Sequence, residues 1–387
     1  MTRTLPFNLE EFARRSTAVQ AEMAKRDTDL LLLDQPETIA YLLGYAVAEG
    51  LHQFCVVPRD GQPTMVLRTV DSGTCRRFSW IDDIIGYADW DDPIELLEDL
   101  TRKRRWAKSQ IGVDQNSYNL TVQRFHTLQE AFDGSQFQDY SEYFIRCRAL
   151  KSPTEIAHLR RASRIADRTF QALLTDLEIG DSVRDCTALA AQHTIRLGGD
   201  PAPVGPVTKN IADNNMHALV DDEPIHEGDV LHVELCPYYK GYGSRIMRPI
   251  HMGPAPQDLL CTAKEIVALQ DRQFAAMRPG VAACDIDAIL RDGMLNSGLK
   301  PSYSNISGYS LGYYQLYTPR ASDFTYIFRP SDTWLLETGM VFHMYTVASG
   351  LAFSETICIT ANGSERLTAT DRNLLINLNG DFAASIA

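Results

Sequence analysis

The chain has 387 residues, 44% of them hydrophobic and 22% charged, with a net charge of −13 and a pI near 5.2. This length suits two globular domains rather than one. The acidic balance leaves no basic face to neutralise phosphates, which argues against a nucleic-acid partner, and no apolar run reaches the length of about 18 residues that a membrane span needs.

Residues 9–26 have the spacing of an amphipathic helix. Residues 28–33, ending in four leucines, read as a buried strand, and another follows at 53–57. Pro58-Arg59-Asp60-Gly61 is a turn signal, and Thr64–Leu67 reads as the returning hairpin arm. A further short strand is expected at 110–114, so the first part reads as an α/β domain. The basic run from Arg102 to Lys108 reads as a solvated helix end. A boundary is expected at about residue 148. There Ser152 can cap a new helix, Pro153 suits its first turn and Glu155 its acidic start.

The second part repeats itself. Ile179-Gly180-Asp181-Ser182-Val183-Arg184-Asp185 is similar to Pro279-Gly280-Val281-Ala282-Ala283-Cys284-Asp285. The strand entered at Gly228 and carrying His232 and Glu234 is similar to the one entered at Gly339 and carrying His343 and Tyr345. Second strands are expected at 244–250 and 354–360. Two such halves would enclose a pocket between them. The eight cysteines form no Cys-x-x-Cys pair and read as buried free thiols of a reducing, cytoplasmic compartment. The amino terminus lacks the apolar run of a secretory signal.

Tyr41-Leu42-Leu43-Gly44-Tyr45, Arg148 through Ile156, His217-Ala218, Gly228-Asp229, Gly241-Tyr242, Arg248, Gly339–Phe342 and Glu355–Thr360 together resemble the creatinase/aminopeptidase P/prolidase superfamily, over about residues 10–370. The resemblance implies an α+β chain. A smaller N-terminal α/β creatinase-like domain (1–148) would be followed by a pseudo-symmetric pita-bread catalytic domain (149–387), in a homodimer. Metallopeptidase members of that superfamily hold two metals with two Asp, one His and two Glu. At those positions this sequence has Glu234, Arg245, Tyr309, Tyr345 and Ser354, with Glu355 adjacent to the last. A guanidinium has no acceptor and stays charged, so Arg245 would repel a dication. The motifs are most similar to the metal-free branches of the superfamily, ectoine hydrolase and creatinase, which implies no metal and no cofactor. The creatinase glutamates are here Met247 and Tyr345, and its N-terminal arginine is Leu51.

These residues predict a chemistry. Burial disfavours an ionised carboxyl and a nearby cation favours it. Glu234 beside Arg245 would therefore be a poised nucleophile or general base, the alternative being a plain ion pair across a hairpin. His217, in a loop, would be the acid/base residue, the alternative being a surface histidine. Tyr309, Tyr345, Arg245, Arg320 and His343 would bind substrate, with Arg248 a further candidate for a carboxylate. Tyr313, Tyr314 and Tyr317 crowd the same region, and His232 and His343 are otherwise core histidines. Gly308-Tyr309-Ser310-Leu311-Gly312 matches the letters of a serine-nucleophile elbow but lacks its strand-to-helix context. The resulting expectation is hydrolysis of a non-peptide C–N bond in a small zwitterion. Alternatives are a metal-dependent Xaa-Pro peptidase, a lyase acting on an onium compound, and a non-catalytic binding protein.

Overall fold

In the computed structural model, residues 2–47, 52–212, 215–217, 219–314 and 325–379 are described. They divide into two compact units. The first runs to Arg148 and also takes in Tyr313 and Tyr314; the second begins at Ala149. No helix among the described residues is long and apolar enough to cross a membrane.

The first unit is built on a six-stranded mixed sheet. Its order is Ile84–Tyr87, Thr64–Arg68, Phe54–Pro58, Leu30–Leu33, Gln110–Val113, Gln136–Asp139. The run of leucines at 30–33 is apolar throughout because both faces of the sheet are covered. Leu31, Leu33, Cys55, Val57, Met65 and Leu67 enter one core, while Leu30, Leu32, Phe54, Val56 and Val66 enter the other. The helix Leu9–Lys25 buries Phe12, Arg15, Val19 and Met23 at helical spacing. The hairpin expected at 53–67 is present, with Gly61 at φ +127 in its turn. Helix Pro93–Arg104 ends in the predicted basic run. The edge strands Ile84–Tyr87 and Gln136–Asp139 are not among the strands expected from the sequence; only the second is weakly apolar.

The second unit opens with the helix Pro153–Asp176. Ser152 and Glu155 form a reciprocal capping box, and Glu155 also accepts a 2.8 Å hydrogen bond from the Tyr242 hydroxyl. Two halves then follow the duplicated pattern. Helices Val183–Arg196 and Ala283–Asn296 are each entered after a left-handed glycine, Gly180 and Gly280. Equivalent bridges, Ser182 to Pro224 and Ala282 to Leu335, tie each half to the turn before its main strand. Those strands, Val230–Leu235 and Val341–Ala348, pair antiparallel with Ile246–Met252 and Leu351–Thr360. The two sheets have four and five strands. All eight cysteines are free, but Cys261 is exposed and Cys147 and Cys284 are only partly covered, so burial is not general to them.

Candidate active site

Strand alternation puts the polar residues on one face. Leu231, Val233 and Leu235 join the core, so His232 and Glu234 point the other way. Met247 is paired with Glu234, on the face that Arg245 shares at the strand entrance. Glu234 is 1% exposed, and one oxygen lies 3.3 Å from Nη1 of Arg245, itself 7% exposed. The Cys236 thiol donates to the same oxygen at 3.6 Å.

Arg245 is positioned by its backbone. The Thr356 hydroxyl accepts from the Arg245 N–H at 2.9 Å and donates to the Arg245 carbonyl at 2.8 Å, and Ser244 bonds the same hydroxyl. Nη1 of Arg245 also donates to the Tyr309 hydroxyl. The backbone at Gly205 supports Glu234 from behind. At φ +129, a Cβ there would stand 2.3 Å from the Glu234 carbonyl oxygen.

The second half adds an aromatic wall. Tyr309 pairs with His343 across Gly308–Ser310, their rings 5.1 Å apart and edge-on, and His343 stacks on Tyr345 at 5.4 Å. Burial first, then Arg245, holds His343 far below the ordinary imidazole range. Burial depresses His232 to about 4; Glu234 opposes this and His217 reinforces it. Neither ring nitrogen of either histidine has a hydrogen-bond partner among the described residues. Burial raises the Tyr345 phenol; the Asn305 hydrogen bond and Arg245 oppose this, and Glu234 reinforces it.

The structure thus brings together Glu234, Arg245, Tyr309, His343 and Tyr345. His217 lies in an exposed turn, near enough to His232 for its charge to be felt there, and the neighbouring Met216 packs against the group containing Met247 and Tyr345. Arg320 and Tyr317 lie outside the described residues, and Tyr313 and Tyr314 belong to the first unit. Arg248 corrects the sequence reading: it is fully buried and bonded to the carbonyls of Met247, Ser354, Thr370 and Asp371 and to Glu355, leaving it occupied rather than available to a carboxylate. Glu355 faces away from Tyr345, toward Arg248, Arg366, Arg372 and Thr368. Ser310 is hydrogen-bonded to Thr325, on a short strand rather than an elbow. The supporting roles of Gly205, Ser244 and Thr356 carry no sequence signal beyond the ambiguous Pro203-Val204-Gly205-Pro206.

A smaller α/β unit followed by a duplicated helix-and-sheet unit is the creatinase-like, pita-bread architecture. Residues 157–361 match the model of metallopeptidase family M24 and residues 15–150 match the creatinase/prolidase N-terminal domain, and the chain belongs to that M24 family. It is 28% identical to the ectoine hydrolase of Halomonas elongata, covering 96% of this chain and 99% of that protein. It is 24% identical to the Xaa-Pro dipeptidase of Lactobacillus helveticus, covering 92% and 97%. A solved prolidase from Thermococcus sibiricus shares the fold with a TM-score of 0.81 at 20% identity, covering 94% and 99%. The likeness to these relatives supports a hydrolase.

The family name implies metal, and the residues at the family's metal positions do not fit one. Among the described residues, no three His, Cys, Asp or Glu side chains come together as a metal-binding group. A guanidinium occupies the space beside the one carboxylate retained, Glu234. Cationic and phenolic groups are a poor donor set for a divalent ion.

Proposed function

We propose that this chain is a metal-independent hydrolase of a non-peptide C–N bond in a small zwitterion of ectoine-like or creatine-like chemistry. The observation that carries the proposal is the buried Glu234–Arg245 pair, at positions that the family resemblance assigns to metal ligands. A guanidinium 3.3 Å away supplies the counter-charge to this buried carboxylate. Glu234 either attacks the electrophilic carbon of an amidine or carbonyl, giving a covalent intermediate that water then hydrolyses to free the carboxylate, or takes a proton from a water that attacks that carbon directly. His217, at the neighbouring turn, gives its proton to the departing nitrogen. Tyr309, Tyr345 and His343 line the face, and Arg320 is assigned to the substrate carboxylate by resemblance to the family.

The decisive experiment measures turnover of small zwitterions before and after exhaustive chelation, with elemental analysis of the protein. Full activity without metal, and its loss in Glu234→Gln, is expected. Abolition by chelators with recovery on adding manganese would refute the metal-free scheme; cleavage of Xaa-Pro dipeptides under the same conditions would then support the peptidase reading.

A further inference from the structure

The two halves support corresponding residues of the site from corresponding places. The Pro206 carbonyl accepts from the Glu234 N–H at 2.9 Å, and the Ser307 carbonyl accepts from the Tyr345 N–H at 3.1 Å. What fixes those two carbonyls differs. In the first half, Pro206 follows the close approach of Gly205 to the Glu234 carbonyl. In the second, the segment 303–307 is clamped from the helix Ala283–Asn296.

The clamp is a buried ion pair. Asp287 is 0% exposed and accepts from Nε and Nη2 of Arg291 at 2.6 and 3.0 Å. The same guanidinium donates to the carbonyls of Tyr303 at 2.6 Å and Asn305 at 3.0 Å, and lies 4.5 Å from the centre of the Tyr303 ring. Asp287 also accepts from the Ser307 hydroxyl at 2.7 Å, and Gln273 donates to that hydroxyl at 3.3 Å. A planar guanidinium, with five donors in fixed directions, can hold a carboxylate and two carbonyls at once. The segment so held meets Tyr345 twice, through the Ser307 carbonyl and through a side-chain hydrogen bond between Asn305 and the phenol.

The fold itself does not require this pair. Helices Val183–Arg196 and Ala283–Asn296 begin and end at equivalent positions, and the counterparts of Asp287 and Arg291 are Thr187 and Ala191. Thr187 donates to the Val183 carbonyl of its own helix. A buried ion pair is a poor source of stability beside apolar packing, so its presence behind one half alone calls for a task in that half. The pair is not placed to touch a ligand. Its helix packs Ile286 with Phe342 and Met344, on the face of Val341–Ala348 turned away from His343 and Tyr345.

We infer that Asp287 and Arg291 are positioning residues for Tyr345, setting the phenol in the candidate site through the clamped segment 303–307. The inference rests on the proposed function only for the part Tyr345 plays in binding substrate.

The test reads Tyr345 in the ligand-free, full-length protein labelled with 3-fluorotyrosine. Its fluorine resonance is the one lost in Tyr345→Phe. Asp287→Asn/Arg291→Met removes both charges and strands neither, so it keeps the fold even where Asp287→Asn alone does not. In this double variant the Tyr345 resonance is expected to shift and broaden. That of Tyr326, packed in the same core as Ala283 and Ile286 of the helix, is expected to stay in place. The KM for a zwitterion turned over by the wild type is expected to rise about tenfold, the equivalent of one misplaced hydrogen bond, with kcat changed less. An unmoved Tyr345 resonance, or an unchanged KM in an active variant, would overturn the inference. So would joint displacement of Tyr345 and Tyr326, which would mark the pair as a general prop of the core. A shift confined to Tyr345, in a protein that turns over no zwitterion, would uphold the positioning role and sink the hydrolase proposal, so the two fail separately.

Discussion

Replacing Arg245 by methionine tests whether Glu234 depends on its guanidinium. The two charged atoms are 3.3 Å apart, with side chains 8% and 2% exposed. At an effective dielectric of about 20 their attraction is about 5 kcal/mol. Breaking one half of a buried pair costs a similar amount, about 3–5 kcal/mol, because the remaining charge is left desolvated. In Glu234→Gln/Arg245→Met no charge is stranded, and most of the stability should return. Thermal unfolding of the four corners of this cycle reads the coupling directly. A loss of about 3–5 kcal/mol corresponds to about 6–20 °C for a unit of this size. Coupling below about 0.5 kcal/mol would mean the two residues are independent. That result, or undiminished turnover in Arg245→Met, would refute the assignment of Glu234 as a carboxylate sustained by Arg245.

Three further outcomes are expected. His232 titrates near 4 when folded against about 6.5 when unfolded, so below pH 6.5 the unfolded chain binds a proton that the folded chain refuses. Stability from this residue is therefore complete above pH 6.5 and falls by up to about 3 kcal/mol as pH drops toward 4; melting curves of His232→Leu over that range should be flatter than wild type. Gly205→Ala places a Cβ 2.3 Å from the Glu234 carbonyl at a left-handed φ, which should cost at least about 1–3 kcal/mol and lower kcat by displacing the strand; retention of full kcat would show that Glu234 tolerates the shift. Glu355→Leu removes the counter-charge shared by Arg248, Arg366 and Arg372, and should destabilise by about 3–5 kcal/mol while leaving KM near wild type; a selective rise in KM would place Glu355 in the site after all.

What the sequence discloses is what local periodicity and capping can carry. Four consecutive leucines announce a strand buried on both faces, and Ser152-Pro153-Thr154-Glu155 announces a helix start that the capping box realises. The repeated Gly-then-Asp and Gly-then-His patterns announce two halves with equivalent strands and bridges. Long-range choices are not carried in this way. Ser354 and Glu355 are adjacent in sequence, yet alternation turns Ser354 toward Tyr345 and Glu355 toward three arginines. Arg248 resembles a ligand-binding arginine until its carbonyl partners, up to 123 residues away, are counted. The hydroxyl that fixes Arg245 comes from Thr356, 111 residues downstream.

The duplication sharpens the argument about charge. Corresponding positions of the two halves hold His232 and His343, then Glu234 and Tyr345. The imidazoles are the same, whereas the carboxylate of the first half faces a phenol position in the second. Arg245 then compensates the single carboxylate. A cluster of one acid, one guanidinium, neutral imidazoles and phenols is close to electrically balanced. Such a cluster has little electrostatic reason to gather divalent cations. It is instead suited to a ligand that carries both signs itself and replaces, group by group, the hydrogen bonds that its carboxylate and nitrogen made with water.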